Sequence, residues 1–264
     1  MRSNRVNSSV HPEGKGKRVG LARALSKLGY CSRSKAFSLI REGRVRLNGT
    51  TPRNPETPVR LGMDRIEVDG KQAAAAAKAY LILNKPRGVV TTADDEKGRE
   101  TVYSLLPKDR EWIAPVGRLD KASEGLLLLT NHSEWGARIT DRDSHLEKTY
   151  HVQIGRAAEP QVLESLARGV EMPNGERLKA RRAGLVRSGE RNSWIEIVLD
   201  EGKNRQIRRM LDALGVEVLR LVRVAIGPLE LGELPKGAHR SLRQEEKEAL
   251  DQAIRASSSL GSLP

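Results

Sequence analysis

Apolar residues in the first quarter of the chain follow helical and then strand-like spacing. Apolar side chains at positions 21, 24, 25 and 28 predict a helix that ends at Gly29. A second short helix is predicted between an N-cap at Ser32 and Gly43. Two strands are predicted over residues 44–47 and 65–68, each ending in an Asn-Gly or Asp-Gly turn pair. This pattern indicates a compact module of two helices and a small hairpin.

The remaining three quarters mix strand and helix patterns without strict alternation. Apolar runs predict strands over residues 80–83, 89–92, 124–129, 148–155 and 194–199. Helical spacing occurs over residues 159–168, 204–214 and 243–255, and Ser241 with Gln244 has the spacing of a capping box for the last helix. The order of elements therefore favours an α+β fold, in which a mixed, mainly antiparallel sheet has flanking helices.

The composition along the chain suggests five segments. Residues 1–18 are predicted to be a disordered basic tail, and residues 19–71 form the small α/β module. The low-complexity stretch "QAAAAAKA", residues 72–79, is interpreted as a linker, with a short helix as the alternative. Residues 80–256 then form the larger domain, and residues 257–264 are predicted to be a disordered tail.

The charge distribution points to a polyanionic partner. The 264 residues include 47 Lys and Arg against 34 Asp and Glu, a formal net charge of +13. Residues 1–72 hold 16 basic against 6 acidic residues, whereas residues 73–264 hold 31 against 28. This asymmetry predicts nucleic-acid binding through the first module, in preference to a membrane surface. The single Phe, four Tyr and three Trp are too few for a sheet that stacks successive bases, so we expect recognition by charge and shape.

Several other classes of protein are excluded by missing features. One cysteine, Cys31, rules out an internal disulfide, and no apolar run approaches the ~20 residues of a membrane helix. The N-terminus lacks an apolar signal region, so we expect a soluble, cytoplasmic protein. No phosphate loop, dinucleotide motif or metal-ligand spacing of the five histidines is present. We therefore expect neither cofactor nor metal, and nothing indicates an obligate oligomer, so a monomer is expected.

The stretch "PVGRLDKASEGLLLLTN", residues 115–131, carries the most distinctive candidate chemistry. It places Asp120 on a turn just before a strongly apolar strand, and such a strand can hold a loop carboxylate at a fixed point. By itself, however, the pattern favours a turn residue that hydrogen-bonds its own backbone. In "EKTYHVQIG", period-2 alternation directs Tyr150 to the interior. Tyr150 is therefore a candidate catalytic residue, although an ordinary core tyrosine is the more common case.

A third segment, "DEGKNRQIRRMLDALG", predicts an amphipathic helix with basic residues near its N-terminus. Arg205, Arg208 and Arg209 lie opposite the apolar stripe. Arginines in the first turn oppose the helix dipole, which suggests an anion to be bound, although a solvated basic face explains the pattern as well.

These segments together resemble a known family. Residues 21–49, "LARALSKLGYCSRSKAFSLIREGRVRLNG", resemble the S-four RNA-binding domain. The motifs "KPRG", "GRLD", "EKTY" and "GKNRQIRRM" resemble, in the same order, those of the ribosomal pseudouridine synthases of the RsuA type. The resemblance spans residues 19–242. One departure is Arg142-Asp143-Ser144, where the family often has His-Pro-Ser, and this puts substrate detail in doubt.

The resemblance implies isomerisation of uridine to pseudouridine in ribosomal RNA or a ribosomal assembly intermediate, on a flipped-out nucleotide and without a cofactor. Asp120 would be the catalytic carboxylate, paired with Arg208 or, alternatively, Arg209. Tyr150 would pack on the uracil. Positions that would contact RNA comprise Lys85, Arg118, Arg205 and Arg209 in the larger domain and Arg33, Lys35, Arg41, Arg44 and Arg46 in the first. The "KNRQIRRM" and "NHSE" segments favour large-subunit rRNA.

Two alternatives compete with this interpretation. A ribosome-assembly factor could keep the scaffold without activity, but it would not need Asp120, Tyr150 and Arg208 together. A glycosidase would need two carboxylates at a fixed separation, whereas the distinctive motif holds one carboxylate flanked by bases.

Overall fold

The chain divides into two compact units. The computed structural model of the protein describes residues 18–92, 95, 97–107 and 112–260. The division falls between Ala75 and Ala76, inside the segment predicted to be a linker. The basic tail predicted for residues 1–18 lies outside the described residues except for Arg18, which begins a strand.

The first unit combines a helix pair with short strands. Its described elements are β1 (Arg18–Gly20), α1 (Leu21–Lys27), α2 (Arg33–Arg41), β2 (Val45–Leu47), β3 (Pro58–Arg60), β4 (Ile66–Val68) and β5 (Lys71–Gln72). Strand β1 pairs antiparallel with β3, and β2, β4 and β5 form an antiparallel sheet in that order. Ser32 caps α2 by accepting a hydrogen bond from the Lys35 backbone N–H at 3.1 Å, as the sequence predicts. Strands β1 and β3 were not predicted because three residues are too few to show a period.

The segment between the units is shorter than its composition suggests. Gln72 belongs to β5, and Ala73 is buried in the core of the first unit. At the other end, the Asn131 side chain binds the Ala77 carbonyl and the Ala79 N–H, which attaches both residues to the second unit. Residues 73–79 contain no helix, so the alternative of a short helix is wrong.

The second unit is built on one large sheet. Its described helices and strands are β6 (Tyr80–Lys85), β7 (Ala114–Val116), β8 (Glu124–Thr130), α3 (Ser133–Thr140), β9 (Lys148–Ile154), α4 (Pro160–Arg168), β10 (Val170–Glu171), β11 (Arg177–Leu178), β12 (Arg182–Ser188), β13 (Ser193–Leu199), α5 (Gln206–Ala213), β14 (Val218–Ile226), β15 (Leu229–Glu230), β16 (His239–Ser241) and α6 (Gln244–Leu260).

The sheet has the strand order β12-β13-β9-β14-β8-β6-β16, with β7 added to β8 and β15 added to β14. Strands β14 and β8 pair in parallel, and the other pairs are antiparallel. The predicted α+β fold with a mixed, mainly antiparallel sheet is therefore confirmed.

Strand β8 is buried on both faces, which explains its uninterrupted run of leucines. Leu126 and Leu128 pack in the cluster that contains α3 and α6, whereas Leu127 and Leu129 pack in the cluster that contains Leu83. Alternate residues of a strand point to opposite faces, so a strand covered on both sides needs apolar residues at every position. This rigid strand directly follows the Asp120 loop.

Two predicted elements differ from the structure, and one central strand was not predicted. Residues 89–92 form no strand and make only a single bridge, between Val90 and Thr101. The strand β14 was missed because Arg220 and Arg223 interrupt its apolar pattern. Helix α6 extends to Leu260, into the segment predicted to be a disordered tail.

The predicted capping box of α6 is also displaced. Ser241 lies in β16, and Glu246 instead accepts a hydrogen bond from the Arg243 backbone N–H at 2.9 Å. Arg243 therefore occupies the N-cap position, and the glutamate at the third helical position satisfies its N–H, as in the second half of a capping box.

Candidate active site

Asp120 lies on a loop between β7 and β8 that is held from behind by the segment after β6. The Thr91 hydroxyl donates to the Leu119 carbonyl at 2.8 Å, and the Gly88 N–H donates to the Lys121 carbonyl at 2.8 Å. The backbone on both sides of Asp120 is therefore anchored. The Asp120 side chain itself remains 40% exposed and faces a cavity.

Lys85, at the end of β6, adds a third anchor to this loop. Its side chain is fully buried, and its ammonium donates to the carbonyls of Ser123 at 2.8 Å and of Asp120 and Pro86 at 3.1 Å each. Burial lowers the pKa of Lys85 to about 8, against the opposing attraction of Asp120 and Glu124. The predicted contact between Lys85 and RNA is wrong for this conformation, because all three N–H groups point into the protein.

Arg205 forms the ion pair with Asp120. Its Nη1 lies 3.8 Å from Asp120 Oδ2, and the two side chains are 51% and 40% exposed. Arg205 is the N-cap of α5 and has a left-handed backbone with φ of +48°. A non-glycine residue in this conformation costs of order 1 kcal/mol, and such strain is typical of functional sites. The positive N-terminus of α5 adds to the field at this end of the cavity.

The predicted pairing of Asp120 with Arg208 is therefore not the one that the structure contains. Arg208 lies one helical turn further on and donates through Nη2 to the Ala122 carbonyl at 3.0 Å, so it contacts the backbone of the Asp120 loop. Burial, followed by the positive charge of Arg205, lowers the pKa of Arg208. The alternative, Arg209, is rotated by about 100° relative to Arg208 and pairs with Glu176 at 2.6 Å.

A cavity of about 330 Å³ opens beside the Asp120 loop, a volume within the usual range for small-molecule pockets. Four residues predicted from sequence line it together, namely Arg118, Asp120, Tyr150 and Arg205. Tyr150 lies on β9, is partly buried, and packs against two apolar clusters. The structure therefore brings the candidate carboxylate, the tyrosine and two arginines to one space, with Lys85 and Arg208 holding the loop.

Two buried charged residues of this region, Glu124 and Arg223, were not predicted. Glu124, at the start of β8, is buried and binds Arg220 through both oxygens at 3.0 and 3.1 Å, and Lys236 at 2.6 Å. Burial raises the pKa of Glu124, but the bonds from Arg220 and Lys236 outweigh this, and the pKa is lowered. Arg223, on β14, is 6% exposed and lines the cavity. Arginine within an otherwise apolar strand was the available sequence signal for both Arg220 and Arg223.

The basic residues predicted in the first unit are exposed. Arg33, Lys35 and Arg41 lie on α2, and Arg46 lies on β2. Arg44 differs from them, because its guanidinium binds both oxygens of Asp69, at 2.6 and 2.8 Å, and Glu42 at 3.3 Å. A large part of its charge is therefore already neutralised within the unit.

The residues that the structure describes carry neither a metal-ligand cluster nor a helix that could span a membrane. No group of three or more His, Cys, Asp or Glu in them could hold a metal ion. No helix among them has the length and apolarity needed to cross a membrane.

Two family models account for the two units. Residues 79–213 match the model described as RNA pseudouridylate synthase, and residues 19–71 match the S4 domain. The first match covers half of the chain and contains Asp120, Tyr150 and Arg205. The chain therefore belongs to the RNA pseudouridylate synthase family, a family of enzymes, and carries an N-terminal RNA-binding S-four domain. Both resemblances drawn from the sequence are confirmed.

Individual relatives match over nearly the whole chain. An uncharacterized RNA pseudouridine synthase from Aquifex aeolicus (strain VF5) is 38% identical over 89% of this chain and 95% of its own length. Ribosomal large subunit pseudouridine synthase B from Bacillus subtilis (strain 168) is 35% identical over 87% of this chain and 94% of its own. A crystal structure of a pseudouridylate synthase has 30% identity, a TM-score of 0.63, and coverage of 88% of this chain and 99% of the other.

Proposed function

We propose that this enzyme converts a uridine of ribosomal RNA to pseudouridine, with Asp120 as the catalytic carboxylate. In this reaction the bond between C1′ of the ribose and N1 of the base breaks, and C1′ bonds to carbon-5 instead. Carbon-5 loses its proton, and N1 gains one. The observation that carries the proposal is the meeting of Asp120, Tyr150 and Arg205 around one cavity within the matched family region.

Each of these residues has a role that follows from its position. Asp120 projects from an anchored loop, so its carboxylate is held at a fixed point beside the sugar of the bound nucleotide. Arg205 pairs with this carboxylate, Nη1 to Oδ2 at 3.8 Å, and so supplies a positive charge beside it. Arg208 is a positioning residue, because it acts on the loop through the Ala122 carbonyl. The Tyr150 ring offers a face on which the uracil packs.

The target nucleotide must leave its helix to reach Asp120. The cavity volume of about 330 Å³ accommodates a single base and not a base-paired duplex. Extrusion of a nucleotide costs a few kcal/mol, which contacts with the flanking phosphates must offset. Arg118 and Arg205 are exposed at the cavity and are placed to bind these phosphates.

The choice of ribosomal RNA rests on the relatives and on charge. The Bacillus subtilis relative is named for the ribosomal large subunit, and we assign the same substrate class, in the cytoplasm, to this chain. The exposed basic side chains of the S-four domain would grip rRNA through its phosphates. The proposed chemistry needs no metal or cofactor, because the uracil itself supplies both the leaving group and the attacking atom.

Tritium release tests this proposal. Ribosomal RNA transcribed with uridine labelled at carbon-5 loses its tritium to water only when carbon-5 becomes bonded to the ribose. We expect release by the native enzyme and none by Asp120→Asn. The control is Asp212→Asn, which removes one carboxylate from the exposed face of α5 outside the cavity and should leave the rate unchanged.

Binding measurements separate chemistry from affinity. Asp120→Asn should bind rRNA within about threefold of the native enzyme, because the carboxylate makes no favourable contact with phosphates. Appreciable turnover by Asp120→Asn would refute the assigned role. Tight rRNA binding by the native protein without any tritium release, on both small- and large-subunit rRNA, would favour an assembly factor instead.

A further inference from the structure

Arg223 lies on the floor of the cavity, directly opposite Tyr150. The two residues are paired across the antiparallel strands β14 and β9. Side chains that are directly opposite in such a pair project from the same face of the sheet, with their Cβ atoms about 5 Å apart. Both residues line the cavity. The guanidinium of Arg223 therefore lies beside the ring on which the uracil is proposed to pack.

The neighbouring strand is adapted to this position. On its other side, β14 runs parallel to β8, and Arg223 is in register with Gly125 of that strand. A Cβ atom at Gly125 would lie 2.2 Å from the Arg223 carbonyl oxygen. The absence of a side chain at Gly125 lets β8 approach closely enough for Arg223 to remain in the sheet.

The guanidinium of Arg223 is buried with unused donors. Its Nε donates to the Leu126 carbonyl at 2.7 Å, whereas the buried Nη2 has no hydrogen-bond partner among the described residues. Among the residues that the structure describes, none forms an ion pair with Arg223. A buried, permanently charged group without a counter-ion is costly, and such a cost is tolerated where a ligand supplies the partner.

A second, partly buried cation lies near Arg223 in the cavity. Lys148 also lines the cavity, on the same face of β9 as Tyr150. Burial and, to a smaller extent, the charge of Arg223 lower the pKa of Lys148 to about 8, against the opposing attraction of Asp200, which also lines the cavity. Two partly desolvated cations therefore face the position of the base.

We propose that Arg223 donates a hydrogen bond to a carbonyl oxygen of the target uracil and stabilises the negative charge that the uracil carries while it is detached from the ribose. This inference rests on the proposed function. When the C1′–N1 bond breaks, its electron pair remains on N1 and spreads through the ring onto O2 and O4. The charge disappears when carbon-5 bonds to C1′, the carbon-5 proton leaves and N1 is protonated. A donor aimed at O2 or O4 therefore binds the reacting base more strongly than the uridine substrate, which lowers the barrier.

The first step of the test establishes activity. The native enzyme is incubated with rRNA labelled at carbon-5 of uridine, and tritium release is followed. If the native enzyme releases no tritium, the proposed function is refuted, and the inference about Arg223 that rests on it is refuted as well. With an active native enzyme, we expect Arg223→Met to lose about 100-fold in the rate at saturating RNA, with KM within about threefold of the native value.

The second step distinguishes charge stabilisation from a structural role. Fluorine at carbon-5 makes uracil a better leaving group, because it stabilises the same anion. In rRNA transcribed with 5-fluorouridine triphosphate, consumption of 5-fluorouridine is followed by mass spectrometry after nuclease digestion. We expect the loss caused by Arg223→Met to shrink to about tenfold on this RNA. A variant impaired only in its folding would be slowed by the same factor on both RNAs, and that result would overturn the inference.

A second variant covers failure of Arg223→Met to fold, which thermal denaturation would reveal. Arg223→Lys keeps the charge but shortens the donor, so we expect a smaller loss of about tenfold that again shrinks on the fluorinated RNA. Native rates from Arg223→Lys on both RNAs, or a loss of the same factor on both, would contradict a contact with the uracil.

Discussion

The buried ammonium of Lys85 makes a quantitative prediction about stability. Its pKa is about 8 in the folded protein, against an ordinary value of 10.5. Below pH 8 both the folded and the unfolded chains hold the proton, and burial of the charge costs the folded state about 3 kcal/mol. Between pH 8 and 10.5 the folded protein releases this proton before the unfolded chain does. The contribution of Lys85 to the free energy of unfolding therefore rises with pH in this window.

Substitution of Lys85 by Met isolates this contribution. The variant removes the charge but leaves the carbonyls of Pro86 and Ser123 without their ammonium donor, so the two effects partly cancel at pH 7. The dependence on pH does not cancel. From pH 7 to pH 9.5 the native protein should gain about 2 kcal/mol in free energy of unfolding relative to Lys85→Met.

Urea denaturation of both proteins at pH 7 and pH 9.5 measures this difference, with other titrating groups common to both. Lys78→Met, which changes an exposed lysine of the same unit, is the matched control and should keep a constant offset from the native protein. Parallel curves for the native protein and Lys85→Met would refute the assigned burial of a charged Lys85. Tritium release by Lys85→Met should also fall, because the ammonium anchors the Asp120 loop.

Three further predictions concern other parts of the chain. Glu124→Gln should lower the free energy of unfolding, measured by urea denaturation, by about 3 kcal/mol, because it leaves Arg220 and Lys236 without their buried partner. The control Glu164→Gln, at an exposed ion pair, should cost under about 1 kcal/mol, and equal costs for the two variants would contradict the role of Glu124. Gly125→Ala, whose Cβ would collide with β14 at a φ of +101°, should cost more than about 2 kcal/mol by the same assay, and Gly184→Ala, where nothing lies within 4 Å, serves as its control. Replacement of exposed basic residues of the S-four domain by Gln should lower both the rRNA affinity measured by filter binding and its dependence on salt concentration. The slope of log affinity against log salt should change by about 0.9 for each phosphate that the variant no longer neutralises, and an unchanged slope would exclude these residues from the interface. The set is Arg33, Lys35, Arg41 and Arg46; Arg44→Gln should have a smaller effect because Asp69 already neutralises it.

Much of the fold followed from local patterns. The helices α1, α2, α4 and α5 and the strands β8, β9 and β13 lie within a few residues of their predicted positions, because amphipathic spacing reports which side of an element is buried. Strand β14 lies at the centre of the sheet and was missed, since the carbonyls and carboxylates that satisfy its arginines come from distant parts of the chain. The Arg220 partner, for example, is Glu124.

The sequence by itself determined the family, the order of the two domains and the candidates Asp120 and Tyr150, because each belongs to a motif whose residues are close together in the chain. Only the tertiary structure decided which partner each Lys and Arg side chain of the site binds. The left-handed turn at Arg205 brings its guanidinium to Asp120, while Arg208 and Arg209, one turn further along α5, bind Ala122 and Glu176. Burial turns Lys85 from an expected RNA contact into the anchor of the loop, and strand pairing places Arg223 opposite Tyr150. Charge and residue type are local properties, but burial and partnership depend on what the rest of the chain packs around them.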